Sequence, residues 1–188
     1  MSKRKQTTKK SSFNPWLAVV PGVLVVIGLV YFLTNRAAAT NIEGVVTQNF
    51  PSGQHKDGPI EYDQHPPMGG LHNPSWMNCG IYDSQIEVEK AVHSLEHGAV
   101  WIAYQPDLAA EQVEVLRTLV KGRRYTLLAP YMYVPLNAPI VAVSWGARLE
   151  LQDANDPRLA QFLQKYVNGP QTPEPGAACS GGVGRPTG

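Results

Sequence analysis

Acidic side chains are missing from the first 40 residues, which hold six basic groups instead: Lys3, Arg4, Lys5, Lys9, Lys10 and Arg36. The rest of the chain holds 10 basic and 15 acidic groups, so the overall net charge of +1 conceals a basic head on a mildly acidic body. A domain without a basic face of its own lacks the electrostatic footprint of nucleic-acid binding, and no nucleic-acid partner is expected. Cysteine is scarce: Cys79 and Cys179 are the only two, 100 residues apart. That excludes a C-x-x-C redox motif and a C-x-x-C-H haem attachment. No phosphate-cradling glycine loop, no G-x-S-x-G and no internal repeat is present. What remains, at 43% hydrophobic and 16% charged residues, is an ordinary globular composition with the length of one domain plus extras.

The head has a simple reading. Trp16 to Leu33 is a run of 18 residues with no charge. As a helix it measures about 27 Å, close to the roughly 30 Å hydrocarbon core of a bilayer. Trp16 and Tyr31 stand near its ends, as interfacial aromatics do. Five positive charges precede the run and only Arg36 follows closely, which places the N-terminus in the cytoplasm and the C-terminal body outside it. The expected organisation is a basic cytoplasmic head (1–15), a transmembrane helix (16–34), a linker (35–58), an extracytoplasmic domain (59–168) and a Pro/Gly-rich tail (169–188). Ala37-Ala38-Ala39 resembles a signal-peptide cleavage site, but the apolar run exceeds the usual 7–15 residues of such a peptide. Either processing leaves the domain outside the cytoplasm.

Between Glu61 and Gly80 proline and glycine recur too often for any helix, so a loop of about 20 residues is expected, a length often tied to function. From about Ile86 the spacing of Val88, Val92 and Leu95 predicts a helix stopped by Gly98. Gly98–Tyr104, 125–131 and 139–147 read as strands. Asp107 is expected to cap a helix through about Lys121. Asp156 and Pro157 open a last helix with the stripe Leu159, Phe162, Leu163, Tyr166 and Val167. The fold class is α+β: a small mixed sheet of three or four strands with two or three helices packed on it, preceded by one transmembrane helix.

The chemistry concentrates in two stretches. HPPMGGLHNPSWMNCGIY (65–82) holds His65, Met68, His72, Met77 and Cys79; HSLEHG (93–98) holds His93, Glu96 and His97. On a helix His93 and His97 share one side, a spacing that chelates one ion. With the loop folded over that helix, His72 would complete a site with His93 and His97. His65, Met68 and Met77 are further candidates, and thioether sulfur would suit copper more than zinc. The expected cofactor is thus one copper or zinc ion. H-x-x-E-H is also the signature of inverted zinc peptidases, in which His93 and His97 would hold zinc and Glu96 would act as base. The bland alternative is a metal-free interaction domain with structural histidines. Outside the cytoplasm Cys79 and Cys179 are expected to pair, which would tie the tail to the loop; the rival is a thiolate ligand at Cys79.

PPMGGLH, WMNCGIY, VHSLEHGAVWIAYQP, LAPYM and the late SWG resemble the bacterial family catalogued as domain of unknown function 3105, over about residues 45–175. The resemblance implies a basic cytoplasmic head, one membrane span and a single outer domain. It assigns no activity. An accessory role follows from the residues themselves: metal delivery, or support of a membrane-bound protein complex.

Overall fold

The strands VWIAY, TLLAP and IVAVS are buried at every position, the pattern of strands covered on both faces. They form the middle of the sheet in a computed structural model that describes residues 41–188. The expected cytoplasmic head and transmembrane helix lie outside the described residues. Among the described residues no helix is long and apolar enough to cross a membrane.

The elements in chain order are β1 (Val46–Thr47), β2 (Gly80–Ile81), α1 (Val88–Glu96), β3 (Val100–Tyr104), α2 (Ala110–Val120), β4 (Thr126–Pro130), β5 (Ile140–Ser144), β6 (Ala147–Leu151) and α3 (Pro157–Tyr166). The sheet order is β1-β6-β5-β3-β4-β2. β3 and β4 pair in parallel across α2, β2 adds in parallel to β4, and the remaining pairs are antiparallel. The sheet therefore has six strands rather than three or four. Two of the additions are two-residue edge strands too short to show a period. The third is β6, in which Leu149 and Leu151 alternate with Arg148 and Glu150.

Strand alternation divides the core into two layers. Ile102, Leu128, Ile140 and Leu149 face one way and meet Leu116, Val120, Phe162 and Leu163 of α2 and α3. Trp101, Leu127, Val141 and Val143 face the other way and meet Val92 and Leu95 of α1, with Met68 and Met77 of the loop. Helices thus cover both faces. Asp156 caps α3 by accepting from the Arg158 amide at 2.9 Å, as the sequence suggests. Asp107 does not cap α2, which begins at Ala110 without a side-chain cap.

The compact unit runs from Ile42 to Gly188, wider than the expected 59–168. Residues 42–58 are built in: Ile42 is buried in the core and β1 pairs with β6. The Pro/Gly-rich tail is built in as well. Val183 exchanges backbone bonds with Trp76 and Asn78, Thr187 donates to the Ile81 carbonyl at 2.7 Å, and Cys179 is paired with Cys79. The loop 61–80 contains no helix, as expected, and is pinned by buried Arg148, which donates to the carbonyls of His65 and Pro66 at 2.8 and 3.1 Å.

Gly98 ends α1 at φ +105, and a Cβ there would run into Asn168. Gly98→Ala is expected to lower the urea midpoint by an amount worth more than about 1 kcal/mol, since both backbone strain and a steric clash act at that position.

Candidate metal centre

α1 turns its apolar stripe to the sheet, so the 3.6-residue period swings His93 and Glu96 to a flank that the loops cover. Asn73 donates to the Glu89 carbonyl, the Met77 amide reaches the Lys90 carbonyl, and Ser94 Oγ donates to the Met77 carbonyl at 2.9 Å. These bonds run the 71–78 segment along α1. The segment before it is zipped on in turn: the Lys56 amide donates to the His72 carbonyl at 2.8 Å and the His72 amide to the Gln54 carbonyl at 3.0 Å. His55 is thereby carried over His72 and His93, with ring centroids 4.7 and 5.0 Å away.

Four side chains now converge. One ligand atom each from His55, His72, His93 and Glu96 lies within 4.8 Å of all the others. His72, His93 and Glu96 are buried, and the side chain of His55 is 40% exposed. His97 stands beside the group, its Nε2 3.0 Å from His93 Nε2.

The tautomers follow from the partners. Nδ1 of His72, His93 and His97 each lies 2.7 Å from a backbone carbonyl, of Gly70, Asn73 and Ala178 respectively. A carbonyl only accepts, so each Nδ1 carries the proton and each Nε2 of a neutral ring keeps a lone pair. Burial pushes the His93 imidazole down to about 4, helped by the neighbouring His97, His72 and His55, against the opposing Asn73 hydrogen bond. His93 is therefore neutral at pH 7, and its Nε2 lies within hydrogen-bond distance of His97 Nε2.

The unsatisfied contact is at the carboxylate. Glu96 Oε2 lies 2.9 Å from His72 Nε2, yet the two atoms are not aligned for a hydrogen bond, and both remain buried without a hydrogen-bond partner. Glu96 Oε1 is satisfied by the Gly53 amide at 2.6 Å. The carboxylate is also the last residue of α1, where the helix dipole disfavours an anion. A buried carboxylate in that position needs a cation. Lone pairs that approach closely without hydrogen bonding are aimed at a common point, as ligand atoms are. Each buried imidazole has its far nitrogen held by a carbonyl, which is the usual outer support of a histidine ligand. Tetrahedral zinc with ligand bonds of 2.0–2.1 Å puts ligand atoms about 3.3 Å apart. Separations of 2.9 Å for Glu96–His72 and 3.8 Å for Glu96–His55 are on that scale.

The residues singled out from the sequence divide. His72 and His93 belong to the group, with His97 adjacent. Glu96, the expected base of a hydrolase, lies within the group itself. His65 is elsewhere, with Nδ1 2.5 Å from the Tyr131 hydroxyl. Met68 and Met77 are core residues between α1 and the sheet. Cys79 is in a disulfide and holds no ion as a thiolate. His55 was not singled out: it lies in a stretch with no periodicity and reaches the group through backbone pairing with His72.

His55 is the exposed member of the group, so its replacement separates binding from stability. His55→Ala is expected to weaken metal binding by at least tenfold while the metal-free unfolding midpoint moves by less than about 0.5 kcal/mol. Calorimetric titration beside urea unfolding checks this, and unchanged affinity would remove His55 from the set.

Fold and ligand set together define a small α+β domain with a histidine–carboxylate cluster suited to a metal ion. The chain belongs to the family described as protein of unknown function (DUF3105), which matches residues 54–181. That segment contains all four candidate ligands and both cysteines. No curated protein and no solved structure matches the chain.

Proposed function

We propose that the domain holds one divalent transition-metal ion, zinc first, on His55, His72, His93 and Glu96. The observation that carries this reading is the pair His72 Nε2 and Glu96 Oε2, buried 2.9 Å apart without a hydrogen bond. Three imidazoles and a carboxylate suit a borderline dication, and the set contains no sulfur to favour copper(I). Four protein ligands fill a tetrahedral ion and leave no open position, which is the pattern of an ion that is held and not one that activates water. A hydrolase would also need a carboxylate outside the ligand set, and Glu96 is inside it. The role is therefore metal holding or delivery by an accessory domain.

We further propose that residues 16–34 anchor this domain on the outer side of the membrane. The uncharged run, the charge asymmetry around it and a cysteine pairing that suits an oxidising compartment support this. The full chain, purified without chelators, is expected to carry one zinc per molecule by elemental analysis. A chain that takes up neither zinc nor copper(II) on reconstitution would leave a metal-free interaction domain. Alkaline extraction of membranes tests the anchor, which fails if the protein is released.

A further inference from the structure

Within six residues the tail touches both the cluster and the disulfide. The Glu174 amide donates to the Glu96 carbonyl at 3.0 Å, and the Glu174 carboxylate is 3.5 Å from His97 Nε2. Tyr125 donates to the Ala177 carbonyl at 3.0 Å. Ala178 supplies the carbonyl that fixes the His97 tautomer, and Cys179, the next residue, is bonded to Cys79. The bond that fastens this segment is thus one residue from the group that orients His97.

Both cysteines are partly exposed and line an open cavity of about 600 Å³, together with Arg123 and Arg124. Neither arginine takes part in an ion pair among the described residues, so both bring positive charge to the cavity, which Gly188 also lines. Such a setting stabilises a thiolate, which makes the sulfur a better leaving group. Beyond the disulfide the tail stays fastened by separate bonds: Val183 to Trp76 and Asn78, Gly182 to Asn78, and Thr187 to Ile81. Residues 174–180 also keep hydrogen bonds of their own, from Glu174 to Glu96, from Gly176 to Asn168 and from the Cys79 amide to the Cys179 carbonyl, so opening the disulfide removes their one covalent tie without freeing the rest.

We propose that Cys79–Cys179 is a thiol-exchange site for a dithiol reductant, and that its opening weakens metal binding by releasing His97. The inference rests on the metal reading above. A thiolate of the dithiol attacks one sulfur, the Cys79–Cys179 bond breaks and a mixed disulfide forms. The expelled thiolate takes a proton. The second thiol of the reductant then displaces the remaining protein sulfur, which is protonated in turn. Two electrons and two protons pass to the protein, and the dithiol leaves as its own disulfide. Ala178 then loses the covalent anchor next to it, so its carbonyl fixes His97, whose Nε2 faces His93, less firmly.

The test uses the full chain in detergent. Its zinc affinity is measured by competition with a chromophoric chelator in three forms: oxidised, reduced with dithiothreitol and desalted without oxygen, and the double variant Cys79→Ser/Cys179→Ser, which carries no thiol to compete for zinc. The expected result is a dissociation constant about tenfold higher in the reduced and double-serine forms, the lower end of outer-shell effects, because His97 adjoins the ligand His93 without being in the set. The far-UV spectrum should be retained, and the redox difference should shrink to within about twofold in His97→Gln. Equal affinity in the oxidised and double-serine forms overturns the coupling alone. Loss of the far-UV spectrum on reduction also overturns it, because the bond would then hold the whole domain. A disulfide that dithiothreitol opens only in denaturant overturns the exchange site. No zinc on the oxidised chain defeats the metal reading, and the coupling with it.

Discussion

Replacing His93 with alanine is expected to cut zinc affinity by more than about 100-fold, beyond the 10–100-fold typical of losing an outer-shell partner. His93 sits at the middle of the cluster, with ring centroids 5.0 Å from His55, 4.8 Å from His72 and 4.5 Å from His97. Alanine also orphans the Asn73 carbonyl, at about 1–3 kcal/mol, so the metal-free variant will melt somewhat lower whether or not His93 is a ligand. The decisive quantity is the stabilisation that zinc adds. Zinc at 1,000 times its dissociation constant stabilises the folded wild type by about 4 kcal/mol. For a domain of this size that raises the midpoint by roughly 8–16 °C. At the same zinc concentration a variant weakened 100-fold keeps only about 1.4 kcal/mol of that stabilisation, a rise of roughly 3–6 °C at most. A rise of wild-type size in His93→Ala would show that the ion, if bound, sits elsewhere.

The metal-free domain should lose stability in mild acid, before carboxylates titrate in bulk. Burial holds His93 near a pKa of about 4, against an ordinary value of 6.5. As pH falls through 6.5 the unfolded chain takes up a proton at this position, whereas the folded chain takes it up only near 4. The stability tied to neutral His93 is thus fully present above 6.5 and is lost progressively between 6.5 and 4. The loss amounts to roughly 2 kcal/mol by pH 5 and roughly 3 kcal/mol at the end of the window. Urea midpoints at pH 7 and pH 5 measure it, with His93→Gln as the comparison: glutamine can donate to the Asn73 carbonyl but does not titrate. An equal decline in that variant would assign the acid sensitivity to another group. Zinc should leave the wild type in the same range, because protons and metal compete for the same nitrogens.

Those parts of the site that a single helix carries were legible in the sequence. The period of Val88, Val92 and Leu95 sets the face of α1, and the spacing of His93, Glu96 and His97 follows from it. His72 was legible because a loop rich in proline and glycine has to fold over something. His55 was not, since its position depends on two backbone bonds between Gln54, Lys56 and His72, and backbone bonds leave no mark on side-chain pattern. β6 did leave a mark, the alternation of Leu149 and Leu151 with charged residues. Its buried Arg148 resembles a surface residue until the carbonyls of His65 and Pro66 are seen to satisfy it. The tail misleads for a related reason. Its glycines suggest a loose chain, but Gly182 lies directly on Trp76, where a Cβ would not fit.

The distance along the chain between the ligands and the segment that braces them sets an order of events during synthesis. His55, His72, His93 and Glu96 have all been made long before Ala178 and Cys179. At ordinary translation rates the interval is on the order of ten seconds. Throughout it Cys79 lacks its partner and is close in sequence to three imidazoles, and for the first part of it the strands β5 and β6 that back the site do not yet exist. An ion captured then could be taken by sulfur as readily as by nitrogen. Only when Cys179 has been made and the pair has been oxidised is that thiol removed, leaving nitrogen and oxygen atoms alone at the cluster. A cluster of nitrogen and oxygen atoms alone is therefore a property of the completed, oxidised chain.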